Sequence, residues 1–208
     1  MENSSLEPRL SIIISGWPAV GKTTMATELG KEFNLKLYSG GDILKMLAET
    51  KGYTTPGDDW WDTKEAKSFM QQRKLDPSFD NQVDKKLIEI IKSENAVITS
   101  YTLPWLVDEE GVIKFWLKSS QKNRAQRMAN RDNIPYSEAK KIIEIRDEEN
   151  KNIYKDLYGF NFGEDLKVFD FCLNTDILSL PSLIEVSKSI IRWLHAGELP
   201  DYKRDLSS

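Results

Sequence analysis

Gly16-Trp17-Pro18-Ala19-Val20-Gly21-Lys22-Thr23 fits the pattern G-x-x-x-x-G-K-[S/T] at every fixed position. Leu10-Ser11-Ile12-Ile13-Ile14-Ser15 before it reads as a buried strand, and Thr24-Met25-Ala26-Thr27-Glu28-Leu29 after it reads as the start of a helix. Glycines let the backbone curl so that successive N–H groups point inward at phosphate oxygens. The helix N-terminus adds partial positive charge behind the same anion. The stretch therefore predicts a nucleotide-phosphate site made by Gly16, Pro18, Ala19, Val20, Gly21, Lys22, Thr23 and Thr24. Lys22 reaches the outer phosphates, and the Thr23 hydroxyl is the candidate Mg²⁺ ligand. The plainer alternative is a Gly-rich strand–helix turn with no ligand.

Size and composition set the frame. A chain of 208 residues is read as one domain, 1–208, long enough to bury a core without staples. The formal net charge of −4 does not favour nucleic acid or an anionic membrane as partner. Cys172 is the only cysteine, so no internal disulfide forms, and its apolar surroundings suggest a buried structural thiol. One histidine, His195, excludes a histidine-based metal cluster. No apolar stretch has membrane-spanning length, and Met1 to Pro8 lacks the apolar centre of a signal peptide. The expectation is a cytoplasmic enzyme, monomeric or homodimeric.

Strand and helix signals alternate outward from the glycine-rich turn. Strands are predicted at Leu35–Tyr38, Ala96–Thr99, Val112–Leu117 and Val168–Leu173. Helices are predicted to Phe33, from Asp42 as cap, over Thr63–Lys74, Phe79–Ser93, Gln121–Arg131, Ser137–Tyr158 and Pro181–Trp193. Either Ser78 or Asp80 is the expected cap of the Phe79 helix. Short apolar strands separated by helices imply a five-stranded parallel sheet covered on both faces, an α/β three-layer fold of P-loop NTPase type. Ligands in such sheets sit at the carboxyl ends of the strands, which places Gly16, Gly40, Thr99 and the loop after Leu117 around one crevice.

Several ordered segments resemble nucleoside monophosphate kinases, most closely archaeal-type cytidylate kinases. They are the phosphate loop, Ser39-Gly40-Gly41-Asp42-Ile43-Leu44-Lys45, Leu75-Asp76-Pro77-Ser78-Phe79-Asp80, and Phe115-Trp116-Leu117-Lys118 with Arg124, Arg127 and Arg131. Arg146-Asp147-Glu148, Tyr154 to Gly159 and Asp170 to Thr175 complete the set. The resemblance implies ATP and Mg²⁺ as cofactors and a small-molecule nucleotide as acceptor. It also implies a helical acceptor-binding insertion over residues 40–93 and an arginine-bearing lid over 120–158. It suggests Arg127, Arg131 and Arg146 as phosphate contacts beside Lys22, and Gly41, Asp42, Lys45 and Tyr101 as acceptor-side positions. Arg124, Arg127 and Arg131 are spaced three and four apart, so one helical face carries all three. The competing reading of that face is solvated charge paired with Glu138, Glu144, Asp147 or Glu148.

The chain departs from the family pattern on the acceptor side. Ser100-Tyr101 stands where an arginine is expected after the third strand, with Thr99 in place of an acid before it. Lys45 and Ile153 replace two further arginines. Lysine keeps a point charge but loses the bidentate fork, and tyrosine and isoleucine carry no charge. The donor half is therefore expected intact and the acceptor half remodelled. Trp60-Trp61 is read as packing for an insertion, with base stacking as alternative, and Asp58, Asp59 and Asp62 as a solvated turn. Asp80 or Asp84 adjoins the base pocket by resemblance, and Trp105 and Trp116 are read as core. The leading expectation is an ATP-dependent kinase with CMP or dCMP as acceptor. Its rivals are a P-loop kinase for another small metabolite and a decayed nucleotide-binding module.

Overall fold

The computed structural model describes residues 9–55, 64–76 and 78–195. The N-terminal residues 1–8, the Trp60-Trp61 loop with its aspartates, Pro77 and the tail after His195 lie outside them. Strands β1 (Ser11–Gly16), β2 (Lys36–Ser39), β3 (Ala96–Thr99), β4 (Val112–Lys118) and β5 (Phe171–Asn174) form one sheet in the order β2-β3-β1-β4-β5. Every pairing is parallel. Helices α1 (Lys22–Glu32), α2 (Gly40–Thr50), α3 (Lys64–Leu75), α4 (Ser78–Ser93), α5 (Leu103–Leu106), α6 (Gln121–Asp132), α7 (Tyr136–Tyr158) and α8 (Leu180–His195) connect and cover it. None is long and apolar enough to cross a membrane among the described residues.

The period-two alternation of strands sorts the core into layers. On β1, Ile13 packs with Ile43, Leu44, Val83 and Leu87 from α2 and α4. Its neighbours Ile12 and Ile14 face Met25, Leu29, Leu183 and Ile191 from α1 and α8. All three isoleucines have no solvent exposure, and each such burial contributes about 1.5–3 kcal/mol. A smaller core joins α6 to α7 through Met128, Ala139 and Ile143. Asn133, in the left-handed conformation at φ 52°, ends α6 and turns the chain into α7.

Three local expectations change. Helix α2 begins at Gly40, and its cap is Ser39 rather than Asp42. The Ser39 hydroxyl accepts from the Asp42 amide at 3.0 Å and its proton goes to the Asp42 carboxylate at 2.6 Å. At α4 the Asp76 carboxylate accepts from the Ser78 amide at 2.9 Å, so neither Ser78 nor Asp80 has that role. The fifth strand starts at Phe171, because Leu166–Val168 folds as a 3₁₀ turn first.

Cys172 is exposed, not buried. Its strand is the sheet edge, and the flanking Phe171 and Leu173 point into the α1–α8 side. Alternation turns Cys172 to the opposite face, where its apolar sequence neighbours cannot cover it.

Candidate active site

The glycine-rich turn leaves β1 and enters α1 through backbone that side chains resist. Gly16 has φ +143°, and a Cβ there would meet the Leu117 carbonyl oxygen at 2.3 Å. Gly21 caps α1 at φ +98° and has nothing within 4 Å of the Cβ it lacks. No side chain caps α1, and no acid stands in its first turn. Its leading amides are thus left for an external anion. Lys22 curls back over the turn, with Nζ donating to the Gly16 and Trp17 carbonyls at 2.8 Å each. Burial, then the neighbouring Arg146 and Arg124 guanidiniums, lowers the Lys22 pKa to about 7, and Asp147 opposes them. A phosphate arriving here would favour the charged amine and so oppose both causes.

Two cavities meet at this amine. One, of about 990 Å³, is lined by Pro18 to Thr24, Arg127, Arg131 and the Thr175–Leu180 segment. The other, of about 260 Å³, is lined by Ser39, Gly40, Gly41, Arg73, Asp80 and Asp84 among others. Lys22, Thr23, Tyr101 and Arg146 line both. Arg146 is exposed and, among the described residues, has no hydrogen bond or ion pair to hold it away from the junction.

The three arginines of the α6 face meet different fates. Arg124 is buried and bidentate with Asp147 at 2.8 and 2.5 Å, while its Nε has no hydrogen-bond partner among the described residues. Its guanidinium lies 5.6 Å over the Trp17 ring. That pair ties α6 and α7 to the glycine-rich turn, as the salt-bridge reading of this face anticipates for Asp147. Arg127 donates to the Thr175 hydroxyl at 2.8 Å and to the Thr175 carbonyl. Arg131 pairs with Asp132 at 2.5 Å and keeps a largely exposed side chain. Beneath Arg127, the Asp176 carboxylate accepts from Ser119, the Ser120 amide and Asn123. Desolvation resists its charge, and these donors outweigh it, holding the carboxyl far below the ordinary range.

On the second cavity, Gly41 and Tyr101 line the wall, while Asp42 and Lys45 stand outside it. Tyr101, where an arginine is expected, puts its ring 4.7 Å from the Lys22 amine. Ile153 packs into an aromatic cluster with Trp116, Tyr154, Phe160 and Phe162. The same cluster grips Trp17, whose ring sits 4.8 Å from Phe162 and 6.3 Å from Trp116. Trp105 stacks on Phe160 at 4.2 Å, so both Trp105 and Trp116 serve packing.

Sequence reasoning misses Arg73. It sits on a polar helix with no motif around it, yet its guanidinium lines the second cavity. Nε and Nη2 hold the Asp80 carboxylate at 3.0 and 2.6 Å. Burial alone would depress its pKa, and Tyr154 and Asp80 more than offset this, so the charge stays on. Asp84, beside it, is pushed up by burial, against hydrogen bonds from Thr102 and Tyr158. The only forward signal was the spacing Arg73–Asp80, two turns apart across a helix break.

Among the described residues no group of three acidic, histidine or cysteine side chains could hold a metal. Thr23 fits Mg²⁺ only in the manner of a phosphate-bound ion, with one hydroxyl and the rest of the shell from substrate and water.

A glycine-rich anion cradle on a parallel sheet, opening to two cavities at one lysine, defines a phosphotransferase of P-loop kinase type. Solved structures agree on the fold: shikimate kinase from Acinetobacter baumannii superposes with a TM-score of 0.53 at 14% identity, over 92% of this chain and 96% of that one. A model of the cytidylate kinase-like family matches residues 11–177. The cytidylate kinase of Pyrobaculum islandicum is 33% identical over 86% of this chain and 91% of its own. That of Sulfurisphaera tokodaii is 32% identical over 90% of this chain and 98% of its own. The chain belongs to the cytidylate kinase-like family. It is a nucleoside monophosphate kinase-like phosphotransferase.

Proposed function

We propose that this protein transfers the γ-phosphoryl group of ATP to the phosphate of CMP or dCMP, giving ADP and the nucleoside diphosphate. The observation that carries the reading is the junction itself. Lys22, Thr23 and Arg146 line both cavities, so the donor's terminal phosphate and an acceptor oxygen meet under the same charges. Phosphoryl transfer needs alignment and neutralisation more than covalent help. Lys22 and the amides of Val20 to Thr24 hold the β- and γ-phosphates, and Arg146 follows the group as it moves. Arg127 and Arg131 face the donor from α6. Thr23 would hold Mg²⁺, which when bound neutralises charge between the outer phosphates.

Residues 40–93 serve in this reading as the acceptor-binding insertion and 120–158 as a lid. Gly40 and Gly41, at the start of α2, line the acceptor cavity, which supports the first assignment. The α6–α7 hairpin, joined by its own small core and carrying all the phosphate-side arginines, supports the second. Closing it excludes water and limits wasteful ATP hydrolysis.

A coupled ADP-release assay with Mg·ATP and a panel of CMP, dCMP, UMP, AMP and GMP tests the proposal. Turnover should be highest with CMP or dCMP. Absence of turnover with every monophosphate overturns it. Lys22→Met should remove transfer by about 100-fold or more, the scale of a lost transition-state charge contact.

A further inference from the structure

Lys22 stands where the two cavities meet, without a carboxylate of its own. The acid that acts on it, Asp147, is held through both oxygens by Arg124. An ammonium has three protons to give, and here the Gly16 and Trp17 carbonyls accept at 2.8 Å each. The remaining neighbour is an aromatic face. Nζ lies over the Tyr101 ring, 4.7 Å from its centroid, inside the range of about 6 Å at which a ring quadrupole attracts a cation. The amine is desolvated, the condition under which that attraction is strongest.

Tyr101 is fixed from several sides. Its carbonyl accepts at 3.2 Å from the hydroxyl of Ser15, a residue of β1 with no solvent exposure. The next two amides, of Thr102 and Leu103, donate to Ser100 Oγ at 3.2 and 3.1 Å. The ring packs on Tyr154 at 6.1 Å and edge-on to Phe162 at 5.7 Å. Phe162, fully enclosed, also meets Trp17 at 4.8 Å. One aromatic cluster therefore touches the amine twice, through the Trp17 carbonyl and through the Tyr101 face. The Tyr101 hydroxyl forms no hydrogen bond among the described residues. What is built into the site is the ring.

A guanidinium in this place would act in the opposite sense. Arg146 and Arg124 already oppose the charge on Lys22, and a third cation beside it would push the ammonium away. An aromatic face attracts the ammonium and adds no charge to the junction.

We propose that Tyr101 is a positioning residue for phosphoryl transfer: its ring holds the Lys22 ammonium at the boundary of the donor and acceptor cavities, where the moving group passes. This rests on the kinase reading above. An incoming phosphate takes the place of the two carbonyls, and the ring, a wall of both cavities, stays beside the amine. The bound donor has the amides of the turn as well, whereas the charge on the moving group depends on Lys22. The ring therefore acts on kcat more than on KM.

The test measures kcat and KM for Mg·ATP and CMP in wild type, Tyr101→Leu, Tyr101→Phe and Tyr101→Arg. It adds Tyr101→Phe chains whose ring is difluorinated or pentafluorinated, with thermal unfolding as the control for the fold. Tyr101→Leu should lower kcat about tenfold, the size of a partly desolvated cation–ring contact, with either KM changed less than about threefold. Tyr101→Phe, which drops only the hydroxyl, should recover most of that loss. Fluorine drains negative charge from the ring face at nearly constant shape, so kcat should fall stepwise along the series and approach Tyr101→Leu at its end. Tyr101→Arg should be slower still. If Tyr101→Leu does not fold, the fluorinated series decides. A Tyr101→Phe chain as slow as Tyr101→Leu gives the role to the hydroxyl and overturns the proposal. A kcat indifferent to fluorination, or a Tyr101→Arg chain faster than wild type, overturns it too. A wild type inert toward every monophosphate overturns the kinase reading instead, and the same series read in the slow transfer from Mg·ATP to water then decides the role of the ring.

Discussion

Donor binding should be accompanied by proton uptake at Lys22. In the protein without nucleotide this amine is buried beside Arg146 and Arg124, and its pKa is lowered to about 7. At about pH 8 such a group carries a proton in roughly one molecule in ten. A triphosphate within a few ångströms favours the charged form and returns the pKa toward the ordinary lysine value of about 10.4. Each Mg·ATP bound at that pH should then take up about 0.9 proton. At about pH 6 Lys22 is already charged and the uptake from it should fall to about 0.1. The sign follows from the complex holding more protons than the free protein. Affinity should drop by nearly tenfold per pH unit from about pH 7.5 to 9, and this contribution should level off below about pH 7. Calorimetric titration in buffers of different ionisation enthalpy reads the uptake directly, as the slope of observed enthalpy against buffer enthalpy. Arg146→Met should reduce the uptake at pH 8, because it removes one of the charges depressing Lys22. A slope near zero for wild type at pH 8, or the same slope in Lys22→Met, would refute the account.

Three further outcomes follow from packing and exposure. Arg124→Met leaves the mostly desolvated Asp147 carboxylate without its cation and should cost about 3 kcal/mol in chemical denaturation; Arg124→Met with Asp147→Leu should recover much of that. Gly163→Ala would set a Cβ 2.2 Å from the Trp17 ring at a backbone φ of +86°, so it should cost about 1–3 kcal/mol in stability and weaken Mg·ATP binding by displacing Trp17. Cys172 should react with a thiol reagent without denaturant, one equivalent per chain, and slowly near neutral pH because partial desolvation of the exposed thiol raises its pKa; protection until unfolding would contradict its placement.

The core of the fold was legible because its signals are local. A run of consecutive apolar residues makes a central strand wherever both faces are covered, so β1, β3 and β4 could be bounded within a residue. Edges and caps were harder. Phe169 and Phe171 look alike in sequence, yet only the second lies in β5, since pairing with β4 starts there. Asp42 and Ser39 are both good caps, and the choice fell to whichever residue stood just before the first helical turn.

The sequence alone determined the glycine-rich turn. Glycine at 16 and 21, lysine at 22 and threonine at 23 act on backbone within a few residues of themselves, so spacing suffices to specify them. Tertiary structure decided everything that depends on a partner distant in the chain. Arg124, Arg127 and Arg131 share one helical face, yet Asp147, Thr175 and Asp132 assign them three different positions. Arg73 looks like one more surface charge until Asp80, Tyr154 and the Thr102–Asp84–Tyr158 network enclose it. Charge becomes specific only when desolvation makes its partners matter, and desolvation belongs to the folded chain.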